Sequence, residues 1–594
     1  MSDFNNFNNP QVAGLPKHLR QFIVDQHYEK YTPVDQAVWR YVMRQNYSYL
    51  KDVAYYPYIK GLQRAGLSIE YIPDLQTMND NLGEMGWGAV TVDGFIPPAA
   101  FMEYQAFKVL VIAADIRQIN HIEYTPAPDI IHESAGHAPI IADEAYNSYL
   151  SYIGSIGAKA MFSARDFELY EAIRNLSILK EAQNIPEFEI QRAEEKLSHI
   201  SAHMGEPSEM ALLSRLHWWT VEYGLIGSLD NPKIYGAGLL SSIGESSSCM
   251  SENVKKILYT IDTVNYAYDI TKTQPQLFVT PNFENLIDVL EQFADTMSFR
   301  RGGAESIAKA IDSRNPATAV YSSGLQVTGV FTDMGKMESG ELSFIKTTGP
   351  SALAFADKEL AGHGKIYHKD GFSSPVGRLK NSRKPLEDFS AEDLKEINLI
   401  EGHETNFEFE NGITVSGTIK RITRAADKII LIVLENATVK ESSGHILFQP
   451  EWGTYDMAVG EKIISVFNGA ADKDAFEEIS PISYIPTEKI QYDDHTANLH
   501  RIYQTVRIIR EEQHGAEMLD RLFTELAENY PADWLCAMEI LEILHYNAIN
   551  PDLKGKVKAY LELKKDSEPG HQKLIQDGLH VIANPVTQLI TEED

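Results

Sequence analysis

The period of the hydrophobic pattern changes twice along this chain, and those changes restrict the fold more than any single residue does. Up to about residue 320, apolar positions recur every three or four residues, as in Val34, Val38, Tyr41 and Val42, which is the spacing of a helix face turned to a core. From about 325 to 490, glycine and β-branched residues alternate instead. There NFEFENGITVSGTI, 406–419, sets Asn411-Gly412 between two alternating runs and predicts a type I′ hairpin. KIILIVLE, 428–435, predicts a buried strand. After Thr496 the helical period returns through Leu499, Ile502, Val506 and Ile509, then Leu519, Leu522 and Leu526. The pattern predicts a mainly α domain over 16–320, a β-rich domain (a small barrel or sandwich) over 321–490, and a helical segment over 491–594. The polar, Asn-rich residues 1–15 read as a flexible tail. A length of 594 residues fits such a division into roughly three to four units.

Within the first unit, WGAVTVDGFIPPAAF, 87–101, departs from the helical period: a short β-branched run ends in a Gly-Phe-Ile-Pro-Pro loop that enters a helix at its prolines. Such a loop is placed to contact a ligand. The formal charge of −31 repels polyanions, so nucleic acid is not an expected partner. Only Cys249 and Cys536 are present, which excludes a disulfide framework and any four-cysteine metal site and fits a reducing compartment. The first residues, MSDFNNFNNPQVAG, lack a signal sequence, and no run of eighteen apolar residues follows, so a cytoplasmic protein without a membrane partner is expected.

Two histidines and a glutamate fall within six residues in PDIIHESAGHAP, 128–139. His132 and His137 are five apart, which on an ideal α-helix points them about 140° from each other. They converge only if the backbone departs from that helix, and Gly136 and Pro139 supply the expected bend. The zinc-protease pattern needs a spacing of four, which this chain lacks. The bland alternative is a helix-capping histidine beside a satisfied core histidine. A third ligand candidate is Glu222 in LHWWTVEYGLIG, 216–227, a carboxylate among two tryptophans, a tyrosine and aliphatics, with no lysine or arginine within four residues. Such a group is exposed, protonated or faces a cation. Two imidazoles and a carboxylate suit Fe(II) with open positions, or zinc with water in a hydrolase. Walls built from Trp218, Trp219 and Tyr223 suit an aromatic substrate.

YTPAPDIIHESAGHAP (124–139), HWWTVEYGL (217–225) and YGAGLLSSIGE (235–245) resemble, in order and spacing, the tetrahydropterin-dependent aromatic amino acid hydroxylases, the bacterial phenylalanine hydroxylases most of all. YTPVDQAVWRYVMRQ, 31–45, and IPDL, 72–75, are more weakly similar; the resemblance covers 16–320. It implies the hydroxylase catalytic fold, Fe(II), tetrahydrobiopterin or a related tetrahydropterin, O2 as co-substrate, and hydroxylation of an aromatic amino acid, L-phenylalanine first and tryptophan or another as the alternative. It implies His132, His137 and Glu222 as iron ligands and Arg117 as the clamp for the substrate carboxylate. Tyr124 and Thr125 would neighbour that clamp, and Pro128, Trp218 and Ser241 would surround the substrate. Asp129 would orient the ligands. Phe101 would stack on the pterin, Gly94 and Ile96 would receive its edge, and Glu133 would face its oxygen-bearing side.

The chain departs from the family at Ser134-Ala135, where a bulkier leucine-containing pair is common, and at His217, where an aromatic residue is usual. These changes bear on pocket size and on the metal. The residues after 320 match nothing in the family, and oligomerisation or regulation is the role their position suggests. A zinc hydrolase and a non-catalytic amino acid sensor are the alternatives to an oxygenase.

Overall fold

Thr32 begins the longest helix of the N-terminal half. Its hydroxyl accepts from the Asp35 amide and the Asp35 carboxylate accepts from the Thr32 amide, while Pro33 occupies the first helical position. The computed structural model describes residues 9–55, 58–92, 96–119, 122–123, 128–181, 186–269, 273–477 and 492–584. The helix Pro33–Val53 buries Val38, Trp39, Tyr41, Val42 and Met43. Around it lie the helices Glu144–Gly157, Glu209–His217 and Glu284–Ala294 and two small sheets. One sheet pairs Gly88–Val92 in parallel with Val109–Ala113. The other has the order Asn231–Ile234, Leu225–Ser228, Gln276–Thr280, Lys255–Leu258. The 87–101 segment is a strand, then a helix Pro98–Ala106 that enters through Pro97 and Pro98.

The flexible tail expected over 1–15 does not extend to residues 9–15. Asn9 is buried, caps the helix Pro10–Ala13 and donates to the Asn79 and Trp87 carbonyls. Val12 and Leu15 pack with Leu19, Val90 and Val109 in a small core of their own.

The β-rich region holds two antiparallel sheets. One runs Lys358–Glu359, Leu342–Phe355, Leu325–Lys336, Pro316–Tyr321, Ile463–Asn468, with Ser373–Pro375 beside Leu342–Phe355. The other runs Glu404–Glu408, Thr414–Ala425, Lys428–Lys440, Ile446–Phe448, with Tyr455–Ala458 against the central strand. Ile430, Leu431 and Val433 of that strand join the core of the first sheet, and Ile432 and Leu434 that of the second. It is the buried strand read at 428–435. The 406–419 hairpin forms, but its turn is not type I′. Only Gly412, at φ +80°, takes the left-handed conformation while Asn411 does not, and the Gly412 amide donates to Phe409. This is the three-residue loop closed by a left-handed glycine. The Asn411 side chain instead accepts from the Ile413 amide and donates to the Val376 carbonyl, tying the hairpin to the first sheet. The helix Gly303–Ser313 packs through Ile307 and Ala310 into the first sheet's core, so this region's packing begins before residue 320.

Five helices follow, Asp494–Glu512, Leu519–Asn529, Leu535–Tyr546, Pro551–Ser567 and Gln572–Ala583. They bury Ile502, Val506, Leu522, Leu541, Val557 and Ile575 in the same apolar core as Val38, Val42, Trp87 and Leu225. The last hundred residues thus return to the first domain. Tyr41 donates to the Leu574 carbonyl at 2.6 Å, and Arg40 donates to Glu539 and Glu542.

Candidate metal centre

His132 and His137 lie on one π-helical stretch, Ile131–His137. A π turn closes residue i on i+5, so residues five apart return to the same side. This is what makes the spacing work; the expected bend at Gly136 and Pro139 is not the device. Gly136 serves a close approach instead, because a Cβ there would stand 2.7 Å from the Ala237 carbonyl oxygen. Glu222 ends a second π turn, Trp218–Glu222, which continues the helix Glu209–His217. Gly236 lets the chain pass over it, since its Cβ would meet the Glu222 carbonyl at 2.5 Å. Two wide turns and the short helix Ala237–Leu240 are thereby pressed together.

His132 Nε2 lies 3.3 Å from Glu222 Oε2, and His137 Nε2 lies 3.4 Å from Glu222 Oε1. The three ligand atoms fall within 4.8 Å of one another. Metal–ligand bonds of about 2.0–2.2 Å place neighbouring ligands about 3.0–3.4 Å apart. Among the described residues, neither nitrogen of the buried His137 has a hydrogen-bond partner. A divalent cation would satisfy that nitrogen and the Glu222 charge together, and the donor set fits Fe(II). Burial opposes the Glu222 charge, but the imidazoles of His137 and His132 hold the carboxyl well below its usual range.

The tautomer of His132 is set by Ser241. The Ser241 hydroxyl donates its only proton to the Ala237 carbonyl at 2.8 Å, so at 3.0 Å it accepts from His132 Nδ1–H. The Nε2 lone pair is then free for the metal. Asp129, itself buried, accepts from the His132 amide at 3.0 Å and from Arg117 Nε and Nη2, both at 2.8 Å. Burial works to raise its carboxyl, but Arg117 and these hydrogen bonds hold it below the ordinary value. Arg117 keeps only Nη1 less firmly engaged, 3.4 Å from the Ile122 and Ser241 carbonyls.

Glu133 is buried 3.8 Å from His137 Nε2, and one of its oxygens has no partner. Burial, with Glu222 and Asp129 nearby and His137 opposing, pushes its carboxyl up to about 8. Phe101 meets His217 edge-on at 5.9 Å, and Ile96 packs with it against the small N-terminal core. His217, which burial pushes down to about 4, sits 4.0 Å from Glu222 and 3.3 Å from Gln105 Nε2. Trp218 is stacked between Tyr223 and Tyr268, at 4.6 and 4.4 Å. Tyr268, not singled out from the sequence, lies outside the three motifs and gave no local signal. Trp219 does not wall the site: it is buried against Phe278 and donates to the Tyr266 carbonyl. A tryptophan next to a ligand need not share its face. Ser134 is likewise fully buried with its hydroxyl on the Ile130 carbonyl, so this departure acts on turn packing. Pro128 is exposed just before Asp129. Gly94, Tyr124 and Thr125 lie outside the described residues.

Residues 25–189 and 194–302 match the family model for biopterin-dependent aromatic amino acid hydroxylase. The phenylalanine-4-hydroxylase of Chromobacterium violaceum is 26% identical over 279 residues, 46% of this chain and 79% of that protein. That of Dictyostelium discoideum is 30% identical over 238 residues, 39% of this chain and 43% of that protein. A crystal structure of the Chromobacterium violaceum enzyme with bound iron(III) and 7,8-dihydrobiopterin is 25% identical, covers 47% of this chain and 88% of that chain, and has a TM-score of 0.36. The likeness to the biopterin-dependent aromatic amino acid hydroxylase family thus lies within residues 25–302 of this chain.

Proposed function

We propose that the chain hydroxylates the ring of L-phenylalanine to give L-tyrosine, using Fe(II), a tetrahydropterin and O2. The observation that carries this reading is the convergence of His132, His137 and Glu222 on one point, with no hydrogen bond to the buried His137 among the described residues. The family match and the phenylalanine-4-hydroxylase relatives support the substrate. When bound, iron and reduced pterin supply the electrons and activate dioxygen. The protein's own share is orientation and exclusion of water. Ser241 and Asp129 hold the ligands in register. Arg117, braced by Asp129, offers Nη1 to the substrate carboxylate, and Tyr124 and Thr125 are proposed to share in substrate binding. Pro128 and Trp218 border the ring, while Phe101, Gly94, Ile96 and Glu133 receive the pterin. Glu133 and Asp129 act close to the reacting groups without ligating the metal.

The hydroxylase unit in this reading comprises residues 16–302 together with the helices of 494–583. Among the described residues no helix is long and apolar enough to cross a membrane. Both cysteines are buried free thiols, which suits the cytoplasm.

The test is an anaerobically iron-loaded assay against phenylalanine, tyrosine and tryptophan, with tetrahydropterin present or omitted. Tyrosine formed from phenylalanine only with pterin is expected. Hydroxytryptophan as the main product would reassign the substrate, and a zinc-dependent hydrolysis without oxygen uptake would overturn the reading.

A further inference from the structure

A second cluster of imidazoles and a carboxylate lies in the β-rich region, beyond the family match. His363 and His368 belong to the loop between Lys358–Glu359 and Ser373–Pro375 of the first sheet, and Asp456 to the strand Tyr455–Ala458 of the second. All three are buried, at 5%, 7% and 6% exposure. The loop is held rigidly: the His363 carbonyl accepts from the Leu353 amide at 2.9 Å and the His368 carbonyl from the Ser351 amide at 3.0 Å. Both imidazoles are thus presented from backbone fixed to the strand Leu342–Phe355.

His363 Nδ1 lies 3.3 Å from His368 Nε2, which lies 4.0 Å from Asp456 Oδ2, and the three ligand atoms fall within 4.8 Å of one another. The imidazole separation is already that of two ligands on one ion, and the carboxylate has to move closer to both imidazoles. Protein hydrogen bonds reach both imidazoles and leave one carboxylate oxygen of the cluster without a donor among the described residues. Arg421 Nη2 donates to His363 Nε2 at 3.1 Å, so a neutral His363 carries its proton on Nδ1 and points it at His368. Tyr367 bonds to Asp456, yet Asp456 Oδ1 has no partner among the described residues. A buried carboxylate oxygen without a donor calls for a proton or a cation.

We propose that His363 Nδ1, His368 Nε2 and the Asp456 carboxylate form a second metal site, for a divalent transition ion of the zinc type, that staples the two sheets together. Two neutral imidazoles and one carboxylate leave the ion one positive charge, and nitrogen-rich donors select this class over calcium or magnesium. On binding, the His363 proton moves to Nε2, and the exposed Arg421 gives up its hydrogen bond to that nitrogen and turns to solvent. The site is separate from the hydroxylase centre in sequence and in its sheets, so the two are counted independently.

The test is metal stoichiometry on the full chain, stripped with chelator and then dialysed anaerobically against Co(II), with visible absorption as a second readout. Two equivalents are expected for the wild type and one for His137→Ala, whose hydroxylase centre is disabled. Asp456→Asn and His368→Gln should each hold one equivalent and keep pterin-dependent hydroxylation. Zn(II) should raise the thermal midpoint of His137→Ala and leave that of His137→Ala/Asp456→Asn unmoved. A single equivalent in an active wild type, or no bound metal in His137→Ala, overturns the proposal without requiring the other variants to fold. A second equivalent that persists in both Asp456→Asn and His368→Gln also overturns it.

Discussion

Arg40 holds the last hundred residues onto the first domain, and replacing it with methionine tests that join. Its guanidinium donates to Glu70 through Nε, to Glu539 at 3.1 Å through Nη1, and to both oxygens of Glu542 through Nη1 and Nη2. Arg44 pairs with Glu542 at 2.6 Å and Arg510 with Glu539 at 2.8 Å, so three cations face three carboxylates. Arg40, Glu539 and Glu542 are all at least nine-tenths buried. Arg40→Met leaves three carboxylates facing two cations, one of them an uncompensated buried charge, and breaking a buried pair from one side costs about 3–5 kcal/mol. Arg40→Met/Glu542→Met restores the balance at two and two, and replacing both partners with apolar groups is often neutral. Urea unfolding followed by tryptophan fluorescence reads this seam, because Trp39 neighbours Arg40 and Trp534 packs edge-on to Tyr41 at 5.1 Å. A large loss in the single variant, mostly recovered in the double, is expected. Acid adds a check with a definite sign. Burial opposes the Glu542 charge, but Arg40 and Arg44 hold its carboxyl below the ordinary range. Its stabilisation is therefore complete above the unfolded value of about 4.3 and lost as pH falls through the folded one, so the deficit of Arg40→Met relative to wild type should be largest above about pH 4.3 and shrink as pH falls. A single variant within about 1 kcal/mol of wild type, or costs that simply add in the double, would refute the argument.

Ser241→Ala should weaken Co(II) or Fe(II) binding about 10- to 100-fold by releasing the His132 tautomer, measured by metal titration; unchanged affinity would show that Ser241 does not set it. Gly136→Ala should abolish metal binding, since its Cβ would meet the Ala237 backbone at 2.7 Å, and a variant that still binds would mean the two turns can part. Asp533 is pushed up to about 6 by burial, against the Cys536 amide and Tyr503, with Glu539 nearby. A raised carboxyl favours the fold at low pH and loses that contribution as pH climbs through the folded value, so stability should fall between about pH 4 and 6 in wild type. Asp533→Asn should flatten that slope in urea midpoints. A chain ending at residue 490 bares the helix face around Tyr41 that the last five helices cover, and should be insoluble or inactive. A soluble, fully active truncation would make those helices dispensable.

The sequence was most informative where a residue type conflicted with its surroundings. Glu222 among aromatics had to be exposed, protonated or facing a cation, and it is buried with the two histidines beside it at 3.3 and 3.4 Å. The helix Pro33–Val53 and the hairpin at 406–419 were legible from period and turn residues, although the choice of turn depended on Asn411 reaching the Val376 carbonyl in another sheet. The π turns were not legible, because a spacing of five carries no local mark of which helix it belongs to. Nor does an amphipathic face name its partner, which is why Ile502, Val506 and Leu541 showed a buried side but not its address. Yet buried charges, like Glu222, do point to that address. Arg40 stands in AVWRYVM and Glu539 and Glu542 in LCAMEILEIL, charges set in apolar runs, and buried charges of opposite sign have few ways to be satisfied except by each other. Their pairing closes the core over both ends of the chain and leaves the β-rich region as an insertion between the two.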